Sequence, residues 1–153
     1  MLGETNRRIL TDTHTDQFVT IFYAVLDPLA GTLIYSNAGH NPPYLFQGSG
    51  ADVHPLSLTG IPVGILEDTK WTRGTVQLAP DDLLLLYTDG VIDAQDSHGA
   101  FFGAEPLLAT VQANLGRPTQ ELQEAILAAI HQFAGGVPQF DDIALILLRR
   151  LAA

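Results

Sequence analysis

Cysteine is absent from all 153 residues. That removes disulfides, thiolate nucleophiles and Cys-ligated zinc together, so any metal must be held by oxygen or imidazole. Bases are scarce: seven Lys and Arg stand against seventeen Asp and Glu, a formal charge of −10. Nucleic acid and anionic membranes are poor partners for such a chain, because phosphate contacts need clustered cations. No stretch approaches the roughly 20 apolar residues of a bilayer crossing. The opening "MLGETNRRILTDTHTDQ" has no apolar run that would serve as a signal peptide, so the sequence predicts a cytoplasmic protein without membrane contact. Internal repeats and low-complexity segments are missing as well.

What is present suits one globular domain over residues 1–153, since 46% of residues are hydrophobic and two domains would each be short of core. The acids are unevenly placed. Between Arg73 and Arg117 there is no Lys or Arg, while Asp81, Asp82, Asp89, Asp93, Asp96 and Glu105 fall in that interval. A bound divalent cation relieves such mutual repulsion, and so does plain solvation of an acidic face.

The element order reads as α+β. "FVTIFYAVL" (18–26) and "TLIYSNA" (32–38) are rich in β-branched and aromatic residues, and the intervening Pro28 and Gly31 are turn formers, so they form a hairpin. "PYLFQ" and "WTRGTVQLA" read as further strands around a "GIPVG" loop. "LLLLYT" (83–88) is a continuous apolar run too short for an ordinary helix and is expected as a strand covered on both faces. Helices are expected from about Glu105 to Leu115, with Pro106 near the first turn, and over "PTQELQEAILAAIHQF". The second places Leu122, Ile126, Ala129, Ile130 and Phe133 on one stripe and stops at Gly135-Gly136. "LGETNRRIL" reads as the end of a helix, and "DDIALILLRR" (141–150) as a closing strand.

Two buried strands are thus flanked by aspartates, Asp89 leaving one and Asp141-Asp142 entering the other. If these strands are antiparallel neighbours, carboxylates meet at one sheet edge, and hard cations such as Mg²⁺ or Mn²⁺ accept few protein oxygens and keep their waters. Each feature also has an ordinary reading, since Asp-Gly is a common turn and paired Asp before a strand solvates its end. Strand alternation would send Asp141 and Asp142 to opposite faces, leaving one of them beside Asp89. His14, His54, His98 and His131 share no ligand spacing, and Trp71 reads as packing.

"FVTIFYAVLDPLAGTLIYSNAGHNPPYLF", "GIPVGILED", "LLLLYTDGVIDAQDSHGAFFG" and "FDDIALILL", in this order, resemble the bacterial SpoIIE-type branch of the PPM superfamily of metal-dependent protein serine/threonine phosphatases. The resemblance implies a PPM-type α-β-β-α sandwich of two antiparallel sheets with flanking helices. It implies that Asp89 of "YTDGV" and Asp141 of "DDIA" bind metal, with Gly90, His40, Asn41 and Asp142 near the site. It further implies two Mn²⁺ or Mg²⁺ ions in the complete domain, hydrolysis of phosphoserine or phosphothreonine by a metal-bridged water, and a phosphorylated protein substrate such as an anti-sigma-factor antagonist.

The family's Gly-Asp-x-x-Asp and Asp-x-Ser-Gly-His-Gly segments do not occur here, and Ala144 stands where Thr or Ser is usual. The resemblance therefore covers the C-terminal two-thirds of such a domain and implies an N-terminally truncated fold. Two expectations follow: low activity for this chain alone, and self-association through an exposed sheet edge. The competing reading is a catalytically inactive fragment or pseudophosphatase that acts as a protein-binding module.

Overall fold

A computed structural model describes residues 1–12, 17–48 and 52–151; His14 lies outside them. The chain divides into two compact units, Met1–Pro42 with Pro55–Leu78, and Pro43–His54 with Ala79–Ala153.

In the first unit, helix α1 (Leu2–Asp12) precedes strands β1 (Ile21–Asp27), β2 (Thr32–Ala38) and β5 (Gly74–Gln77), which form an antiparallel sheet in the order β1-β2-β5. The predicted hairpin is present, with Ile21 opposite Ala38 and Asp27 opposite Thr32. Its turn is built by Asp27, whose carboxylate accepts the N–H groups of Leu29 and Ala30 at 3.0 Å each, and by Gly31 at φ 74°. Leu2, Ala38 and Val63 form a small core, against which Ile9, Ile21 and Trp71 pack. The buried Asn6 ties α1 to the 64–67 loop: its amide donates to the carbonyls of Leu66 and Glu67, and its oxygen accepts the Gly64 N–H.

In the second unit, β3 (Tyr44–Gln47), β4 (Asp52–Pro55), β6 (Leu83–Tyr87) and β7 (Leu145–Arg149) form a sheet in the order β4-β3-β6-β7. Short helix α2 (Asp89–Ile92) follows β6, and α3 (Ala104–Ala113) and α4 (Thr119–Ala134) complete the unit. The leucine run is an interior strand, as expected. Leu83, Leu85 and Tyr87 join Phe46, Leu107, Leu122, Ile126 and Ile130 in one core, and Leu84 on the opposite face is buried too. The predicted stripe of α4 supplies this contact, and the helix stops at Gly135, which takes the left-handed φ of 57°. Arg149 at the end of β7 donates to the carbonyls of Leu115 and Arg117, closing the α3–α4 loop over the strand.

Two antiparallel sheets with helices make the fold α+β, as the sequence indicates. Three elements depart from that reading. Strand β4 was not foreseen, because Asp and His are weak strand formers. The closing strand starts at Leu145 rather than Asp141. Asp89 begins a helical turn rather than a simple Asp-Gly turn. Among the described residues, no helix is long and apolar enough to cross a membrane.

Candidate metal centre

Strands β6 and β7 are antiparallel neighbours, with Leu83 opposite Arg149 and Tyr87 opposite Leu145. The exit of one therefore lies beside the entrance of the other. Beyond the last strand pair the two chains stay clasped by Thr88. Its N–H donates to the Ala144 carbonyl at 3.1 Å, while its hydroxyl donates to the Asp142 carbonyl and accepts the Ala144 N–H, both at 2.9 Å. With its hydroxyl so used, Thr88 stands at the N-cap of α2 without a side-chain cap bond.

The next residues approach closely. A Cβ built on Gly90 would lie 2.5 Å from the Asp142 carbonyl oxygen and 3.0 Å from that of Asp141. Both are rigid backbone atoms, so only glycine allows the 89–90 and 141–142 segments to meet this way. Gln139 adds a bond from its side-chain amide to the Gly90 carbonyl at 3.1 Å.

Asp89 and Asp141 are both exposed and each is held through one oxygen. The Gly90 N–H donates to Asp89 Oδ1 at 3.1 Å, and the Asp142 N–H donates to Asp141 Oδ1 at 2.7 Å. The second oxygen of each carboxylate has no hydrogen-bond or ion-pair partner among the described residues. Immediately upstream, Tyr87 is buried and stacked on Tyr44 at 5.9 Å. Burial, then the neighbouring Tyr44 phenol, pushes its phenol well above the usual tyrosine range, so it stays neutral.

The alternation argument for Asp141 and Asp142 does not hold, since both precede the strand. They differ in another way: Asp142 engages Thr88 and Asp141 through its main chain, leaving its side chain uncommitted. Gly90 and Asp142 thus lie in the same cluster as Asp89 and Asp141. His40 and Asn41 belong to the first unit. There, Asn37 Oδ1 accepts the His40 N–H at 2.9 Å, and His40 Nδ1 lies 2.9 Å from the Asn41 carbonyl. That carbonyl only accepts, so Nδ1 carries the proton. Gly39, at φ 75°, presses against the Pro62 ring.

Sequence reasoning missed Thr88 and Gln139, whose roles depend on partners more than 45 positions away. Asp82, grouped with the acidic interval, is a buried structural residue: its carboxylate accepts the N–H groups of Gly48 and Ala79. Among the described residues, no group of three or more His, Asp or Glu side chains converges on one point. Asp89 and Asp141 each keep one free carboxylate oxygen on backbone segments that touch, a chemistry that suits a hard cation keeping most of its water shell.

The model of the family described as Stage II sporulation protein E (SpoIIE) matches residues 1–151. Protein IcfG of Synechocystis is 36% identical over 148 residues, covering 95% of this chain and 23% of IcfG. Phosphoserine phosphatase RsbP of Bacillus subtilis is 30% identical over 137 residues, covering 90% of this chain and 32% of RsbP. The chain thus spans a third or less of these curated relatives. Among solved structures, the SiaA-PP2C domain of Pseudomonas aeruginosa superposes with a TM-score of 0.83 at 25% identity, covering 97% of this chain and 58% of that one.

Proposed function

Because the chain belongs to the SpoIIE family, we propose that it is part of a metal-dependent protein serine/threonine phosphatase domain whose substrate is a phosphorylated regulatory protein, such as an anti-sigma-factor antagonist. The observation that carries this reading is the clasp between β6 and β7, which brings the Asp89 and Asp141 segments into backbone contact. In this reading Asp89 and Asp141 hold Mn²⁺ or Mg²⁺. The chemistry such an ion supplies when bound is Lewis acidity toward water and phosphoryl oxygen. The chain's own part is positional. Thr88 and Gly90 fix the two backbones, the main-chain N–H groups of Gly90 and Asp142 orient one oxygen of each carboxylate, and the apolar β6 strand makes the platform rigid. Two carboxylates alone bind a hydrated ion weakly, so full occupancy draws on further ligands of the complete domain.

The test is the rate of phosphoserine-peptide hydrolysis against Mn²⁺ concentration, in the full-length protein that carries this chain. Asp89→Asn and Asp141→Asn should each lower the rate about a hundredfold, and the double variant should be little worse, because both act through one ion. Asp142→Asn should be milder. Equal losses at Asp141 and Asp142, or additive losses at Asp89 and Asp141, would return these residues to solvating strand ends. Mn²⁺ binding without any turnover would favour the binding-module reading.

A further inference from the structure

The first unit carries four of the chain's bases, Arg7, Arg8, Lys70 and Arg73. Arg7 and Arg8 are engaged by Glu4 on their own helix, at 2.7 and 3.5 Å. Lys70 and Arg73 form no ion pair among the described residues. Both border a hollow of about 440 Å³ that no carboxylate lines.

The walls of this hollow are firmly held. Trp71 donates its indole N–H to the Ile61 carbonyl at 2.8 Å, and its ring lies where a Cβ on Gly60 would be, 2.4 Å from Cδ1. Tyr23 and Ser36 are cross-strand partners in β1 and β2. The Ser36 hydroxyl donates to the Thr72 carbonyl at 2.9 Å, tying that strand to the segment bearing Lys70 and Arg73. Leu2, seated in the small core, fixes the first turn of α1 on the remaining side.

Two cations without protein counter-charges beside two aromatic rings are complementary to a chain segment with carboxylates next to an apolar residue. An inorganic anion would satisfy the cations and leave the ring walls wet. We propose that this hollow docks an acidic segment of a partner protein, with Lys70 and Arg73 taking its carboxylates and Trp71 and Tyr23 flanking an adjacent apolar side chain. The site lies wholly within the first unit, and the proposal does not depend on metal at Asp89 and Asp141. The chain's charge of −10 repels acidic partners at long range, so recognition rests on these local contacts.

Trp71 is the chain's single tryptophan, so its emission reports on the hollow directly. The experiment titrates this chain with a capped peptide of Asp and Glu flanking one Leu, with the matching Asn/Gln peptide, and with inorganic phosphate. The acidic peptide should give a saturable emission change, and the other two should not at the same concentrations. Lys70→Gln with Arg73→Gln should weaken binding about tenfold. The charge-keeping Lys70→Arg with Arg73→Lys should bind within a few-fold of the parent chain, and Arg7→Gln with Arg8→Gln should change nothing. An equal response to the amide peptide or to phosphate, no response at all, or undiminished binding by the Gln pair would overturn the proposal.

Discussion

The two units share one chain and solve different problems. The second collects most of the large buried side chains, with α3 and α4 packed on its sheet. It also carries eleven of the acids against three bases. Among the described residues the first buries fewer large side chains, Leu33, Tyr35, Leu56, Val63 and Leu78 among them, and leaves Phe18, Tyr23, Val25, Leu29 and Ile34 exposed. Hydrophobic stabilisation scales with apolar area removed from water, so it concentrates in the second unit. That same unit holds the 89–90 and 141–142 segments, whose backbones touch. In the proposed reading, the core beneath keeps the two segments from relaxing apart when no ion is bound.

The sharpest way to break this comparison is to cut both cores. Ile126→Ala in α4 should cost about 2–5 kcal/mol, whereas Val63→Ala in the first unit should cost about 2 kcal/mol, both read by urea unfolding. A larger loss at Val63 would move the main core to the first unit.

Buried polar side chains pin loops in both units, among them Asn6 in the first and Asp82 in the second. Asp82→Ala leaves the N–H groups of Gly48 and Ala79 without their acceptor, and Asn6→Ala strands two carbonyls and an N–H. Each should cost about 2–3 kcal/mol. Asp82→Asn, which keeps one acceptor oxygen, should cost about 1 kcal/mol, while Asn6→Asp should be as damaging as Asn6→Ala because it aims oxygen at two carbonyls. These are readable by thermal unfolding; a harmless Asn6→Asp would mean that the α1 contact contributes little.

Glycine substitutions probe the backbone of each unit. Gly90→Ala must push the Asp142 carbonyl away, and Gly39→Ala both strains a φ of 75° and meets the Pro62 ring, so each should cost about 1–3 kcal/mol. They differ in function: in the full-length protein Gly90→Ala should also raise the Mn²⁺ concentration needed for half-maximal activity, and an unchanged requirement would detach Gly90 from the site.

The smallest effect concerns Asp96. Its carboxylate accepts the N–H groups of Ala100 and His98, which hold its pKa below the ordinary aspartate value. A folded-state pKa below the unfolded one adds stability that is present above about pH 4 and lost as pH falls through the lowered value. Asp96 lies at the surface and is partly exposed, so the gain is slight. The melting temperature of the parent chain should exceed that of Asp96→Asn slightly near pH 7, and the difference should shrink as pH falls through the lowered value.

Much of this was legible in the chain. The α4 stripe, the Gly135 stop and the leucine strand follow from periodicity and from residues that permit one backbone conformation, both local properties. Asp89 and Asp141 were legible as flanks of two apolar runs, although nothing local says that the runs are neighbours. Three things were not legible: the burial of Asp82, the clasp made by Thr88 and the late start of β7. Each depends on a partner distant in sequence. Asp82 has the same residue type as its exposed neighbour Asp81, and it is the bond to the distant Gly48 N–H, beside the local one to Ala79, that ties it into the core.

The sequence by itself determined most of the element types, the α+β class and the exclusion of thiol chemistry, because propensity, pattern and composition act over a few residues at a time. The tertiary structure decided which ends of those elements meet. Antiparallel pairing of β6 with β7 carries Asp89 to residues fifty positions onward, and a glycine without a Cβ lets the two backbones touch there. Spacing along a chain does not encode that contact; the closure of a sheet around a common core does.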